Sequence, residues 1–221
     1  MHWMNDVALP SREFSIGVFL VLLLVLSASL AMFWVLLRRW TIHRQWTLLG
    51  AWASRHGFAL KLGDESLPAP TELWASFRPR VRIELSEPRT RVLEIETDAI
   101  PGLPTDRNAR WRVLIRRIEP TWPATALRPV AHAAGVIDLF SLSSYPSLAS
   151  TDRFVVFGSD AKAARILSGS MLRALLPPDI GLAVVGQHMM LDFSHRAFDP
   201  IEFDRMIALA EQLATHLPEL A

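Results

Sequence analysis

The hydrophobic pattern divides the chain sharply near its start. From Phe14 to Leu37, 24 residues pass without a charge, and only Ser15, Gly17, Ser27 and Ser29 break the run of large apolar side chains together with a few alanines. A helix of that length rises about 36 Å, enough to cross a hydrocarbon layer of about 30 Å with some tilt. Sixteen of the 24 are Leu, Ile, Val or Phe, each contributing roughly −0.3 to −0.6 kcal/mol at the bilayer centre, so insertion is favoured. Ser27-Ala28-Ser29 has the small residues of a signal-peptide processing site. Two features oppose cleavage: the leader carries Asp6 and Glu13 against a single Arg12, and the apolar run continues past the site to Leu37.

Beyond Leu37 the pattern stays helical but becomes two-sided. Ile42, Trp46, Leu49, Ala53 and His56 recur at helical spacing, with Arg44, Ala51 and Arg55 opposite. Gly57 supplies a left-handed stop. This stem either lies on lipid, with Trp46 and Trp52 at the headgroups, or packs its stripe on the domain that follows; the packing reading is preferred.

Alternation then takes over. Phe58, Leu60 and Leu62 predict a short strand, Gly63 to Pro70 a loop, and Thr71 to Phe77 one or two helical turns. Val81, Ile83 and Leu85 alternate with Arg80, Arg82 and Glu84, and a turn at Glu87-Pro88-Arg89 leads to a strand with Leu93 and Ile95 inward and Glu94 and Glu96 outward. Trp111 to Glu119 predicts a third strand, giving an antiparallel meander with one dry and one wet face. Pro120, Pro123 and Pro129 predict a loop, and Val136 to Leu142 another strand. Phe154 to Phe157 is a strand, followed by a helix capped at Ser159 or Asp160 that ends before Pro177-Pro178. Leu182 to Val185 and Met189 to Phe193 predict a hairpin about Gly186-Gln187. Asp199-Pro200-Ile201-Glu202 opens a final helix with a stripe of Phe203, Met206, Ile207, Ala210, Leu213, Ala214 and Leu217. The expected class is α+β: one transmembrane helix and an amphipathic stem, then a mainly antiparallel sheet with two or three packed helices. The expected organisation is an exported tail at 1–13, the span at 14–37, a juxtamembrane helix at 38–57 and a domain at 58–221.

Charge gives the span a direction. Arg38, Arg39, Arg44, Arg55 and Lys61 follow it without an acidic residue before Asp64, and such basic flanks stay in the cytoplasm. The expected topology is single-pass in a bacterial inner membrane, amino terminus outside and domain inside. Trp34, Arg38, Arg39, Trp40 and Arg44 are the expected membrane-interface residues. The chain as a whole has 221 residues, 51% of them hydrophobic, and a formal charge of +1. That balance does not mark a nucleic-acid binder. Its lack of cysteine removes thiolate nucleophiles, disulfides and cysteine-ligated metals.

The Trp-rich stem ending in His56-Gly57-Phe58, with the blocks DRFVVFGSDAKAARIL and LDFSHRAFDPIEFDRMIALAEQLA, resembles a loose group of uncharacterised bacterial single-pass membrane proteins. The resemblance covers most of the chain. It implies the architecture and a bacterial setting, and it carries no activity.

Candidate chemistry is sparse. Phosphate-binding loops, GxGxxG, HExxH, GxSxG and EF-hand patterns are missing from the sequence, and no metal or cofactor is expected. His188, Asp192, Ser194 and His195 cluster near the end of a predicted strand, making Asp192 and His195 the catalytic candidates. His188 and Asp192 share a strand face but stand about 13 Å apart, too far to ligate one ion. Arg80, Arg82, Arg112 and Arg116 are candidates for binding lipid headgroups or an acidic partner, against cross-strand pairing with the interleaved Glu84, Glu94 and Glu96. The expected function is a non-enzymatic membrane-tethered interaction or assembly module, partnered by the lipid bilayer and an unidentified membrane or cytoplasmic protein. The alternatives are a membrane-anchored enzyme of another class and an accessory helix subunit of a transporter or secretion complex.

Overall fold

A computed structural model describes residues 12–63, 80–97, 109–132, 142 and 145–220. The predicted helical turns at Thr71–Phe77 and nearly all of the predicted strand at Val136–Leu142 lie outside the described residues. The chain divides into two compact units after Leu48. Helix α1, Arg12–His56, is continuous through the predicted span and stem.

In the first unit the described side chains from 16 to 45 are exposed. Leu24, Val21, Phe19 and Phe33 are exposed, as Arg38 is, so this stretch has no inner face. A helix that is apolar all round needs an apolar solvent, and Ile16–His56 contains a segment apolar and long enough to span a membrane.

The second unit begins inside α1. Leu49, Trp52 and Ala53 are buried in it, and the helix ends as the sequence predicts: Gly57 adopts φ +73° and the Phe58 N–H donates to the Ala53 carbonyl at 2.8 Å. Trp52 is therefore not at a lipid headgroup. Its ring packs on Phe58 and Phe203 at centroid distances of 5.2 and 5.1 Å.

Among the described residues a seven-stranded antiparallel sheet follows, built from β1 (Ala59–Leu62), β2 (Arg80–Ser86), β3 (Thr90–Thr97), β4 (Ala109–Pro129), β5 (Ser147–Ser150), β6 (Phe154–Gly158) and β7 (Gly181–Asp192). Strand β4 is its axis. Its first half pairs with β3, its second half with β6, and β7 runs along both halves. The predicted proline loop at 120–129 is thus part of a strand. Pro120 and Pro123 fall where the β4–β7 register shifts, positions at which a missing N–H costs the ladder nothing. The predicted hairpin at Gly186 is likewise absent: β7 passes straight through, and Gly186, at φ +56°, sits opposite Trp122 beside the same irregularity.

The sheet is dry on both faces, not one. Register puts Leu93, Ile95, Trp111, Val113, Ile115 and Met190 on one side, and Val92, Leu114, Met189 and Leu191 on the other; all ten are buried. A bulge between Val81 and Ile83 shifts the alternation, so Val81 joins the first face while Ile83 and Leu85 join the second. Glu94 is buried rather than outward, because the second face is covered and Arg112 offers it a cation at 3.6 Å.

Among the described residues, three further helices belong to the α+β unit: α2 (Ala161–Leu167), α3 (Ser170–Leu175) and α4 (Pro200–Leu220). Asp160 caps α2, accepting from the Lys162 and Ala163 N–H groups. The single helix predicted from there to Leu175 is broken at Ser168-Gly169. In α4, Asp199 accepts from the Glu202 N–H at 3.0 Å, and Phe203, Met206, Ala210, Leu213 and Leu217 are buried, as the stripe predicts.

Candidate functional site

The predicted cluster lies where β7 gives way to the turn before α4. Asp192 is the last residue of β7 and is buried. Its Oδ1 accepts from the Ser194 N–H at 3.0 Å and from the Ser194 hydroxyl at 2.6 Å. That hydroxyl in turn accepts from the Arg112 N–H at 3.0 Å, and the Phe193 N–H donates to the Arg112 carbonyl. The carboxylate therefore holds the strand end against β4, satisfying backbone groups that burial would otherwise leave unpaired.

The histidines separate. His188 pairs in register with Arg117, while Asp192 pairs with Val113, so an unbroken stretch of strand lies between them. His195 is exposed and stacks on His132, with centroids 3.6 Å apart and rings 9° from parallel. His132 lies just after β4, and its imidazole pKa is lowered by burial first and by His195 second, with Asp192 and Asp179 acting in the opposite sense. Next to this stack, Arg196 clamps Asp179 with two hydrogen bonds of 2.7 and 2.8 Å and reaches Glu202 at 3.3 Å. The Arg196 fork holds the Asp179 carboxyl below its ordinary range, against the opposing effect of burial. Sequence reading singled out Glu202 only as part of the helix cap and did not find His132, Asp179 or Arg196: His132 and Asp179 come from separate elements, and nothing local marks Arg196 as the partner of Asp179.

The four candidate arginines divide into two pairs. Arg112 lies 3.6 Å from Glu94, and its guanidinium also donates to the Arg196 carbonyl. Arg116 donates to the Thr90 hydroxyl at 3.0 Å and lies 3.5 Å from Glu211 of α4. Both belong to the interior framework. Arg82 lies 3.6 Å from Glu96, and Arg80 is exposed at the start of β2. At the end of the apolar stretch, the Arg38 and Arg44 guanidinium groups each sit 5.6 Å from the ring centre of an aromatic one turn earlier, Trp34 and Trp40. Arg39 is exposed beside them.

No protein-family model matches the chain, and no curated protein matches it in sequence. A solved structure does match in fold. It is the crystal structure of the mycobacterial trehalose monomycolate transport factor A, TtfA, at 12% identity and a TM-score of 0.55, covering 76% of this chain and 90% of that one. The fold is similar to that of a transport factor. At this identity, TtfA and the present chain are related by architecture, and TtfA assigns no residue a role here.

Proposed function

We propose that this protein is a single-pass protein of a bacterial inner membrane whose α+β domain acts as a non-enzymatic interaction or assembly module. The observation that carries the reading is a helix with apolar side chains exposed all round, continuous in sequence with the stem that closes the domain's core. The basic flank from Arg38 to Lys61 favours an exported amino terminus and a cytoplasmic domain. The likeness to TtfA favours an accessory role in a membrane transport assembly, where the module would recruit or hold a protein partner. The structural duty of Asp192 also supports a binding module over an enzyme centred on Asp192 and His195.

The test is affinity purification of the full chain from membranes in mild detergent, comparing wild type with His195→Ala. A defined membrane or cytoplasmic protein is expected to co-purify with both and to be lost when residues 49–221 are removed. An activity that disappears in His195→Ala, with the same proteins bound, would favour the enzyme reading instead.

A further inference from the structure

Beside the shift in the β4–β7 register, β4, β7 and the β2–β3 turn bring two arginines and a histidine together. The Arg117 N–H donates to the Arg89 carbonyl at 2.8 Å, setting the β2–β3 turn against β4, and Arg117 pairs in register with His188 of β7. Neighbouring strands lie about 4.8 Å apart, so two arginines and an imidazole stand side by side. Arg91, two residues from Arg89, lines the same depression with Arg117 and His188.

Opposed like charges destabilise a sheet. The acidic groups nearby compensate only in part. Glu119 reaches Arg89 at 4.0 Å with both side chains largely exposed, a geometry worth little. Glu84 lies 4.0 Å from Arg91, and Arg117 donates to the Gln187 side-chain oxygen at a long 3.4 Å. Each guanidinium has five N–H donors in a planar fork, far more than these contacts use.

Arg89, Arg117 and Gln187 also line an open cleft of about 450 Å³, together with the largely exposed Glu119, within the range of small-ligand sites. Two forks facing one cleft, with a third guanidinium in the adjoining depression, suit an anion with at least three acceptor oxygens and up to two charges. A phosphate group offers both, whereas a carboxylate offers two oxygens and one charge. We propose that this cleft binds a phosphate group, held by Arg89 and Arg117 with Arg91 beside them. The same chemistry could arrive as a soluble phosphorylated molecule or as a phospholipid headgroup. Arg80, Arg82 and Arg112 do not line this cleft, and Arg116 lines an adjoining one with Arg89 and Arg117.

The test uses the full chain in phosphatidylcholine nanodiscs and reads the thermal unfolding midpoint of the domain. One arm adds pyrophosphate and compares it with sodium chloride at matched ionic strength; the other replaces part of the lipid with phosphatidylglycerol. At least one arm is expected to raise the wild-type midpoint beyond its control, and Arg89→Gln/Arg117→Gln to abolish that excess, with apparent affinity falling about tenfold or more. In sodium chloride alone the double variant should be as stable as wild type or more so, because the opposed charges are gone. A shift with pyrophosphate alone assigns a soluble ligand, and one with phosphatidylglycerol alone assigns a headgroup. Should the double variant not fold, Arg89→Gln at the exposed turn must still reduce the response. Equal shifts in wild type and variant, or no excess in either arm, would overturn the site.

Discussion

The Trp52 indole N–H donates to the Asp204 carboxylate at 2.8 Å, joining the last turns of α1 to α4 across 152 residues of sequence. The ring itself is buried between Phe58 and Phe203, while Asp204 remains half exposed. Trp52→Phe keeps most of the apolar contact and loses the bond, at an expected cost of about 0.5–1.5 kcal/mol. Trp52→Ala also leaves a cavity and should cost about 3–5 kcal/mol. Urea unfolding of the full chain in detergent distinguishes the two. Equal, small losses would mean that α1 does not close this core.

Asp192 and His195 separate in the same assay. Asp192→Ala removes the acceptor of the Ser194 N–H and hydroxyl proton in a part-buried corner and should cost about 1–3 kcal/mol. His195→Ala removes an exposed ring and should stay within about 0.5 kcal/mol of wild type. A large loss in His195→Ala would show that its stack with His132 carries stability.

The final helix, its Asp199 cap, the Gly57 stop and most inward strand positions were legible because each is a local signal: a spacing, a cap or a turn residue. The axis of the sheet was not. β4 contains prolines that read as a loop, and only the register shifts opposite β7 show that the ladder passes over them. Gly186 read as a hairpin for the same reason, since a positive φ serves a turn and a bulge alike. Glu94 read as outward because alternation assumes one wet face, and nothing local reveals that α4 packs over the other, where Glu211 reaches Arg116. The Asp192 cluster was visible in outline, but its partners Arg112 and Ser194 meet only in the folded chain.

Gly186 offers a direct check on the bulge. Open space surrounds the position a Cβ would take, so Gly186→Ala adds conformational strain alone, about 1–2 kcal/mol at φ +56°. Gly50, in ordinary helix with equally open space, is the matched control. Gly50→Ala should stabilise by up to about 1 kcal/mol. Thermal melts of the two variants should therefore move in opposite directions.

His132 predicts the pH dependence. Its folded pKa lies below the ordinary 6.5, so the unfolded chain binds the proton more tightly. The stability it contributes is full above that value and is lost as pH falls through it toward the lower folded pKa. Asp179, also lowered, contributes above its ordinary 3.8 and loses that contribution only in more acid solution. Unfolding midpoints should thus decline from neutral to mildly acid pH, and His132→Asn should flatten that decline while leaving the acid limb in place. An unchanged slope in His132→Asn would assign the effect elsewhere.

Extraction of cell membranes with alkaline carbonate tests the central claim most directly. The account predicts that the intact chain, first residues included, stays in the pellet and is released only by detergent, and that removing residues 14–37 frees the remainder into the aqueous fraction. Recovery of the intact, uncleaved chain in the carbonate supernatant would contradict it.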